Sequence, residues 1–307
     1  MKQSAPPPPV ATPDPSADNR QWRHSLLLRV LAALVLIPIA LGLLWAGGWI
    51  LFGGGVIILT IASYEMHRMF VGEGKRPLSI LSLGASLVFL LAAILPASLR
   101  LPLIEANISL LLLTTFIWLL LARKTLDGAL VDWALTMAVP LYLGWPLSFF
   151  LLLRGTQLGF VSGFWWVMVA LLGCMAFDTA AFFTGKFLGR HKLATQASPS
   201  KTWEGVIGGI LGGVIATLVT TQGAHFFTLQ FIQIPIYHAI ILGVLLSVAA
   251  QVGDLAESLI KRQSHVKDSG HLIPGHGGIL DRMDSQIFAV MVVYFYASWI
   301  LHQPFLN

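Results

Sequence analysis

Apolar residues in this chain do not alternate with polar ones at short period; they run in stretches of about twenty, broken by short polar segments. A helix of about twenty apolar residues crosses a hydrocarbon core of about 30 Å, and a backbone in lipid must satisfy its own hydrogen bonds, so helices are the predicted elements. The stretches fall at about 25–45, 49–66, 78–97, 104–122, 132–153, 163–185, 203–222, 236–260 and 285–303. This predicts an all-α, polytopic integral membrane protein with about nine transmembrane helices. Only the Gly47-Gly48 turn signal divides the first two spans, and Pro140 and Pro146 predict a kink or re-entrant turn in the fifth.

Composition agrees: 56% of the 307 residues are hydrophobic and 11% charged, against about 25% charged in soluble domains. The single cysteine, Cys174, excludes an intramolecular disulfide and a Cys-based zinc site. Residues 1–23, with Pro6 to Pro9 and more Pro, Ser and Asp after them, read as a disordered tail and not as a signal peptide. Residues 24–155 form the N-terminal transmembrane part, and 156–307 the C-terminal part where polar chemistry gathers.

Lys and Arg test the span boundaries, because they collect in cytoplasmic loops. With a cytoplasmic N-terminus, sixteen of the nineteen fall in inside segments, two (Arg100 and Arg154) outside, and Arg29 near the inner end of the first span. The net charge of +5 thus orients the protein and does not call for a nucleic-acid partner. Seven of the fourteen acids lie between Asp178 and Asp284. In the first half Glu65 lies at the inner end of the second span, where interfacial water, His67 or Arg68 would satisfy it; a gating or site-lining role is the alternative.

Asp178, about fifteen residues into the sixth span, costs about 2.5–3.5 kcal/mol to insert alone, which predicts either an ion pair or a polar site open to the cytoplasm. In the loop 189–205, Ser198 before Pro199, or Ser200 before Lys201, is suited to cap the seventh span, with Glu204 in its first turn. The cluster of Lys186, Arg190, Lys192 and Lys201 beside helix N–H groups suits an anion, although ordinary inside-loop charge would look the same. No P-loop pattern is present.

The eighth span continues to about Arg262, about 40 Å of helix and about ten more than the core requires. Asp254, Glu257, Ser258 and Lys261 share one face of its projecting end. A loop rich in glycine follows, with Gly270, Gly275, Gly277 and Gly278 among Lys267, His276 and Arg282. Such a loop lets backbone N–H groups approach an anion, and His276 is suited to donate or shuttle a proton. Asp281 and Asp284 open the ninth span; one is a candidate N-cap, and with Asp254 they suggest a divalent-cation site, Mg²⁺ rather than zinc. Cations, basic side chains and an anion loop at one face suit phosphoryl or nucleotidyl transfer. Acids carrying ions through a transporter are the competing reading, but they would gather near the midplane.

The stretch Ser258-x-x-Lys261-Arg262-x4-Lys267-Asp268-x-Gly270-x2-Ile273-Pro274-x-His276-Gly277-Gly278-x-x-Asp281-Arg282-x-Asp284 resembles the signature of the phosphatidate cytidylyltransferases. Residues 198–205 (SPSKTWEG) and Asp178 with the GKFLGRHK after it resemble the same family, with Ser200 standing where a basic residue is common. The resemblance implies condensation of CTP with phosphatidic acid to CDP-diacylglycerol and pyrophosphate, in a homodimer. It implies Asp254 and Asp281 as ligands of a two-cation site, Mg²⁺ with K⁺, supported by Asp284. Lys201, Lys261, Lys267 and Arg282 would hold phosphates, with Ser198, Thr202, Ser258, Arg262, Gly277, Gly278 and Asp178 around the substrates and His276 in the chemistry. A CTP-dependent lipid kinase of the polyprenol type is the enzymatic alternative.

Overall fold

The protein is described here by a computed structural model covering residues 34–123, 125–155, 160–222, 234–270, 272 and 277–302. The tail 1–23 and His276 lie outside the described residues. The helices are α1 (Leu34–Ala46), α2 (Gly48–Gly72), α3 (Ser79–Ile94), α4 (Ala97–Leu121), α5 (Ala129–Val139), α6 (Trp145–Arg154), α7 (Phe160–Leu188), α8 (Trp203–Gln222), α9 (Ile236–Gln263) and α10 (Leu280–Phe295). A wide π-type turn, Pro140–Gly144, joins α5 to α6 into one bent rod, as the two prolines predict. Among the described residues seven helical rods are long and apolar enough to cross a membrane, while α1 and α3 are shorter apolar helices. This is an integral membrane protein.

Each predicted stretch falls on a helix, and the break at Gly47-Gly48 has a physical basis. Both glycines sit at positive φ, +63° and +50°, which L side chains rarely adopt. Buried Arg154 at the end of α6 fills the break, with Nε donating to the Leu44 carbonyl at 2.5 Å and Nη2 to the Trp45 carbonyl at 2.8 Å. A cation at a helix C-terminus, satisfying carbonyls the helix leaves open, is favourable twice over. Arg154→Met is therefore expected to cost about 1.5–3 kcal/mol, read as a lower melting temperature in detergent.

Two boundaries differ from expectation. The predicted outer loop 98–103 is helical: α3 ends at Ile94, α4 starts at Ala97, and Arg100 lies buried in its first turn, donating to the Leu95 carbonyl at 3.1 Å. With that carbonyl as its partner Arg100 sits inside a helical turn, so hydropathy misplaced the helix start. The segment 189–202, expected as a loop, holds a hairpin, β1 (Lys192–Ala194) with β2 (Ser198–Thr202), paired antiparallel as Lys192 with Thr202 and Ala194 with Ser198. It is the only sheet among the described residues.

Small residues line the close helix contacts, as expected where lipid is the solvent, and many large apolar side chains face outward. On α8, Trp203, Ile207, Leu211, Ile215 and Val219 repeat every four residues and are all exposed. Its opposite face carries Gly205, Gly208 and Gly209, where an added Cβ would collide with Ala181, Thr184 or Phe177 of α7. This close approach of α7 and α8 sets Asp178 and the hairpin at one end of the bundle. Asp132 ties α3, α4 and α5 together at their loops, accepting from the Arg76 amide at 2.7 Å and pairing with Arg123 at 2.7 Å.

Candidate active site

Three elements deliver charged groups to one end of the bundle: the hairpin before α8, the C-terminal end of α9, and the loop leading into α10. The 28 residues of α9 make about 42 Å of helix, longer than a core of about 30 Å requires. At Gly253 an added Cβ would run into the Asp284 carbonyl oxygen and Phe288 of α10. The absence of that side chain lets α9 and α10 touch, which places Asp254 beside Asp284.

Asp254 pairs with Lys201 at 2.5 Å, and Ser258 Oγ donates to its other oxygen at 3.4 Å. Its partner thus comes from the hairpin, a contact sequence spacing on α9 does not reveal. Thr202 positions that strand: its Oγ1 accepts from the Gly205 amide at 3.2 Å, so it caps α8, in place of the expected Ser198 or Ser200. Ser198 lies half-buried on β2 opposite Ala194. Glu204 clasps the hairpin base, accepting from the Arg190 amide at 3.0 Å and pairing with His191 Nδ1 at 2.6 Å.

Asp178, Asp254 and Asp284 lie near enough for their charges to act on one another, with Ser285 beside Asp178. Among the described residues neither Asp178 nor Asp284 has an ion-pair partner within 4 Å. Asp284 accepts from its neighbour Ser285, from the amide at 2.7 Å. Acids gathered around a single lysine leave a net negative patch that a cation would neutralise. Among the described residues no three Asp, Glu, His or Cys side chains converge tightly enough to hold a metal unaided. One or two carboxylates completed by ligand phosphates is nonetheless the usual surrounding of Mg²⁺.

Asp281 sits differently. One oxygen accepts from Lys261 at 2.7 Å, and the other from the Gly278 amide at 2.8 Å, Ser269 Oγ at 2.9 Å and the Ser269 amide at 3.0 Å. Three of these donors crowd Oδ2, while Oδ1 takes Lys261 alone. In this arrangement Asp281 organises the loop. Lys261 also pairs at 2.5 Å with Glu257, whose side chain is fully buried. The i,i+4 pair legible in the sequence is therefore part of a buried Glu257–Lys261–Asp281 triad, and Lys261 serves there as counter-ion to two carboxylates.

Arg262 donates to the Ala197 carbonyl at 3.3 Å, fastening the hairpin turn to the end of α9. It is exposed, as are Lys267 and Arg282, and the Arg282 charge acts on Asp284. Gly277, at φ +83°, faces Asp281, and an added Cβ would lie 2.7 Å from Oδ2. Gly278 is buried.

Sequence reasoning singled out Glu65 but gave it the wrong partners. It does not turn to His67 or Arg68: His67 Nδ1 engages the Ser63 carbonyl at 2.7 Å. Glu65 instead reaches from α2 to the start of α10, accepting from the Leu280 amide at 2.9 Å, the Ile279 amide at 3.1 Å and Ser269 Oγ at 3.2 Å. The available signal was a carboxylate at the inner end of an apolar span, which must find partners somewhere.

The sequence matches the cytidylyltransferase family over residues 27–300. It is 31% identical over 303 residues to the phosphatidate cytidylyltransferase of Synechocystis sp., covering 91% of this chain and 98% of that one. The enzyme of the same name from Staphylococcus haemolyticus is 32% identical over 266 residues, covering 86% and 95% of the two chains. That of Bacillus subtilis is 39% identical over 155 residues, 50% of this chain and 54% of its own. The two nearly full-length alignments extend the likeness through the N-terminal helices, beyond the half that carries the signature. The chain belongs to the cytidylyltransferase family.

Proposed function

We propose that this protein transfers the cytidylyl group of CTP to phosphatidic acid, forming CDP-diacylglycerol and pyrophosphate. The observation that carries the reading is the meeting, at one end of the bundle, of clustered acids with exposed cations and a glycine loop. Asp178, Asp254 and Asp284 stand beside Lys201, with the Arg282 charge acting on Asp284 and exposed Arg262 and Lys267 at the end of α9 and in the loop after it. Its placement in a chain of this family makes a nucleoside triphosphate and a lipid phosphate the ligands that fit.

In the reaction an oxygen of the lipid phosphate attacks the α-phosphorus of CTP. A new P–O bond forms there as the α–β bridging bond breaks, and pyrophosphate carries off the electron pair. Exposed Arg262, Lys267 and Arg282 hold the phosphate oxygens and offset their charge, which supplies most of the catalysis in such transfers. Lys201 holds Asp254 in place from the hairpin, while α10 carries Asp284 beside it. Asp254 and Asp284 would hold Mg²⁺, with K⁺ as a second cation, and Asp281 would join them through Oδ1, which takes a single donor, Lys261. When bound, such a cation polarises the attacked phosphorus and stabilises the leaving pyrophosphate. His276 is retained in the proposal as a proton carrier on the loop.

The bias of Lys and Arg toward one set of loops supports a cytoplasmic site in a bacterial inner membrane, where CTP is available. A homodimer belongs to the same reading and rests on family resemblance. Purified protein supplied with CTP, Mg²⁺ and phosphatidic acid in mixed micelles is expected to release pyrophosphate and form CDP-lipid in equal amounts. CDP accumulating with a phosphorylated lipid alcohol would instead identify a lipid kinase.

A further inference from the structure

The buried carboxylate of Glu65 lies far in sequence from every group assigned above, yet it bonds directly to the start of α10. Its side chain belongs to α2, is 5% exposed, and has no cation within 4 Å among the described residues. An acid so placed is stable only if donors replace the water it has lost. Those donors are the Ile279 and Leu280 amides, which the first turn of α10 leaves without intrahelical partners, and Ser269 Oγ. The N-cap residue of α10, Ile279, makes no side-chain cap bond. The cap is supplied from the other half of the chain.

Two glycines of the signature are fitted to this carboxylate. A Cβ on Gly270 would lie 2.5 Å from Glu65 Oε1, and one on Gly278 would lie 2.5 Å from Oε2. Ser269, itself buried, joins the acid to the site: its hydroxyl is 3.2 Å from Glu65 Oε2 and 2.9 Å from Asp281 Oδ2. A hydroxyl has one proton to give, so the two carboxylates share a single donor and the placement of one constrains the other. The amide of Gly278, between the contacts of Glu65, donates to Asp281 at 2.8 Å.

We infer that Glu65 is a positioning residue for the transfer reaction: it caps α10 across the two halves of the bundle and sets the backbone of 277–281, and with it Asp281 and Asp284. The inference rests on the proposed reaction for its kinetic part, while its structural part can be read without any substrate. Glu65 touches neither substrate in this account, so its loss should act on turnover more than on binding.

The test uses the full chain in detergent with Glu65→Gln, Glu65→Asp and Ser269→Ala. Gln offers one acceptor oxygen and an N–H₂ group that faces the amides it should accept from. Glu65→Gln is expected to lower kcat about 10²-fold, as small misplacements do, with KM for CTP within about threefold of the parent. Glu65→Asp, which keeps the charge, should recover at least part of that loss, and amide hydrogen exchange at Gly278–Leu280 should accelerate in Glu65→Gln while other helices keep their protection. Folded Glu65→Gln with parental kcat, or with unchanged exchange at Gly278–Leu280, overturns the inference. Should Glu65→Gln fail to fold, Glu65→Asp and Ser269→Ala decide: slowed turnover in folded protein supports the latch, and parental turnover in both overturns it. If the parent itself makes no CDP-lipid, the reaction assignment fails, and the exchange arm still decides whether Glu65 holds the loop.

Discussion

Asp254→Asn is expected to abolish CDP-lipid formation while leaving the protein as stable as the parent, or more so. Asp254 belongs to a group of three acids with one lysine, so each negative charge is held against the repulsion of the others. Neutralising one relieves that repulsion, and its half-exposed position means no core packing is lost. The same change removes a hard oxygen charge where a cation and phosphates would meet, an interaction whose loss typically costs about 10²–10³-fold in rate. Product formation and melting temperature in detergent should therefore move in opposite directions or independently. Such opposition marks a site kept for function at some cost in stability, and parallel loss of both would mean that Asp254 is a structural counter-ion of Lys201.

Lys261→Met is expected to do the reverse and unfold the site. It would leave Glu257, fully buried, and Asp281, almost so, without their shared positive partner. Removing one member of a buried ion group costs about 3–5 kcal/mol, because the remaining charges stay in a medium that cannot solvate them. The double variant Lys261→Met, Glu257→Leu removes one stranded charge and should regain part of the lost melting temperature. If the single variant melts with the parent, the triad is not the prop described here. Together the two substitutions separate acids that serve chemistry from charges that hold the frame.

Much of this architecture is legible in the sequence because lipid imposes a simple rule. Twenty-residue apolar runs, the extra length of α9 and the break at Gly47-Gly48 follow from helix length and backbone freedom, and the structure has helices at each of those runs. What could not be read is where isolated charges find partners. Arg100 and Arg154 looked like outer-loop residues, yet both are buried against carbonyls of helix ends. Lys201 and Asp254 are 53 positions apart, Glu65 and Leu280 215, and no local spacing joins such pairs.

The site was legible in its residue types and less so in its geometry. The glycines, acids and bases of 254–284 announce phosphate chemistry, but the family resemblance made Asp281 look like an open ligand and Lys261 an open cation. The fold engages both, Asp281 with four donors and Lys261 with two carboxylates. The hairpin was hidden because Pro199 and three polar neighbours read as a helix cap, and the strand pairing depends on a partner only ten residues earlier. The partners of Glu65 were hidden by its more obvious neighbours His67 and Arg68.

The central claim is the transfer of a cytidylyl group to a lipid phosphate, and the fate of isotopic label tests it most directly. With phosphatidic acid and CTP labelled at the α-phosphorus, the label is expected to enter the lipid fraction, and label at the γ-phosphorus to leave as pyrophosphate. Label from the γ-phosphorus appearing in lipid, or neither label reaching lipid with folded protein and Mg²⁺ present, would contradict the account.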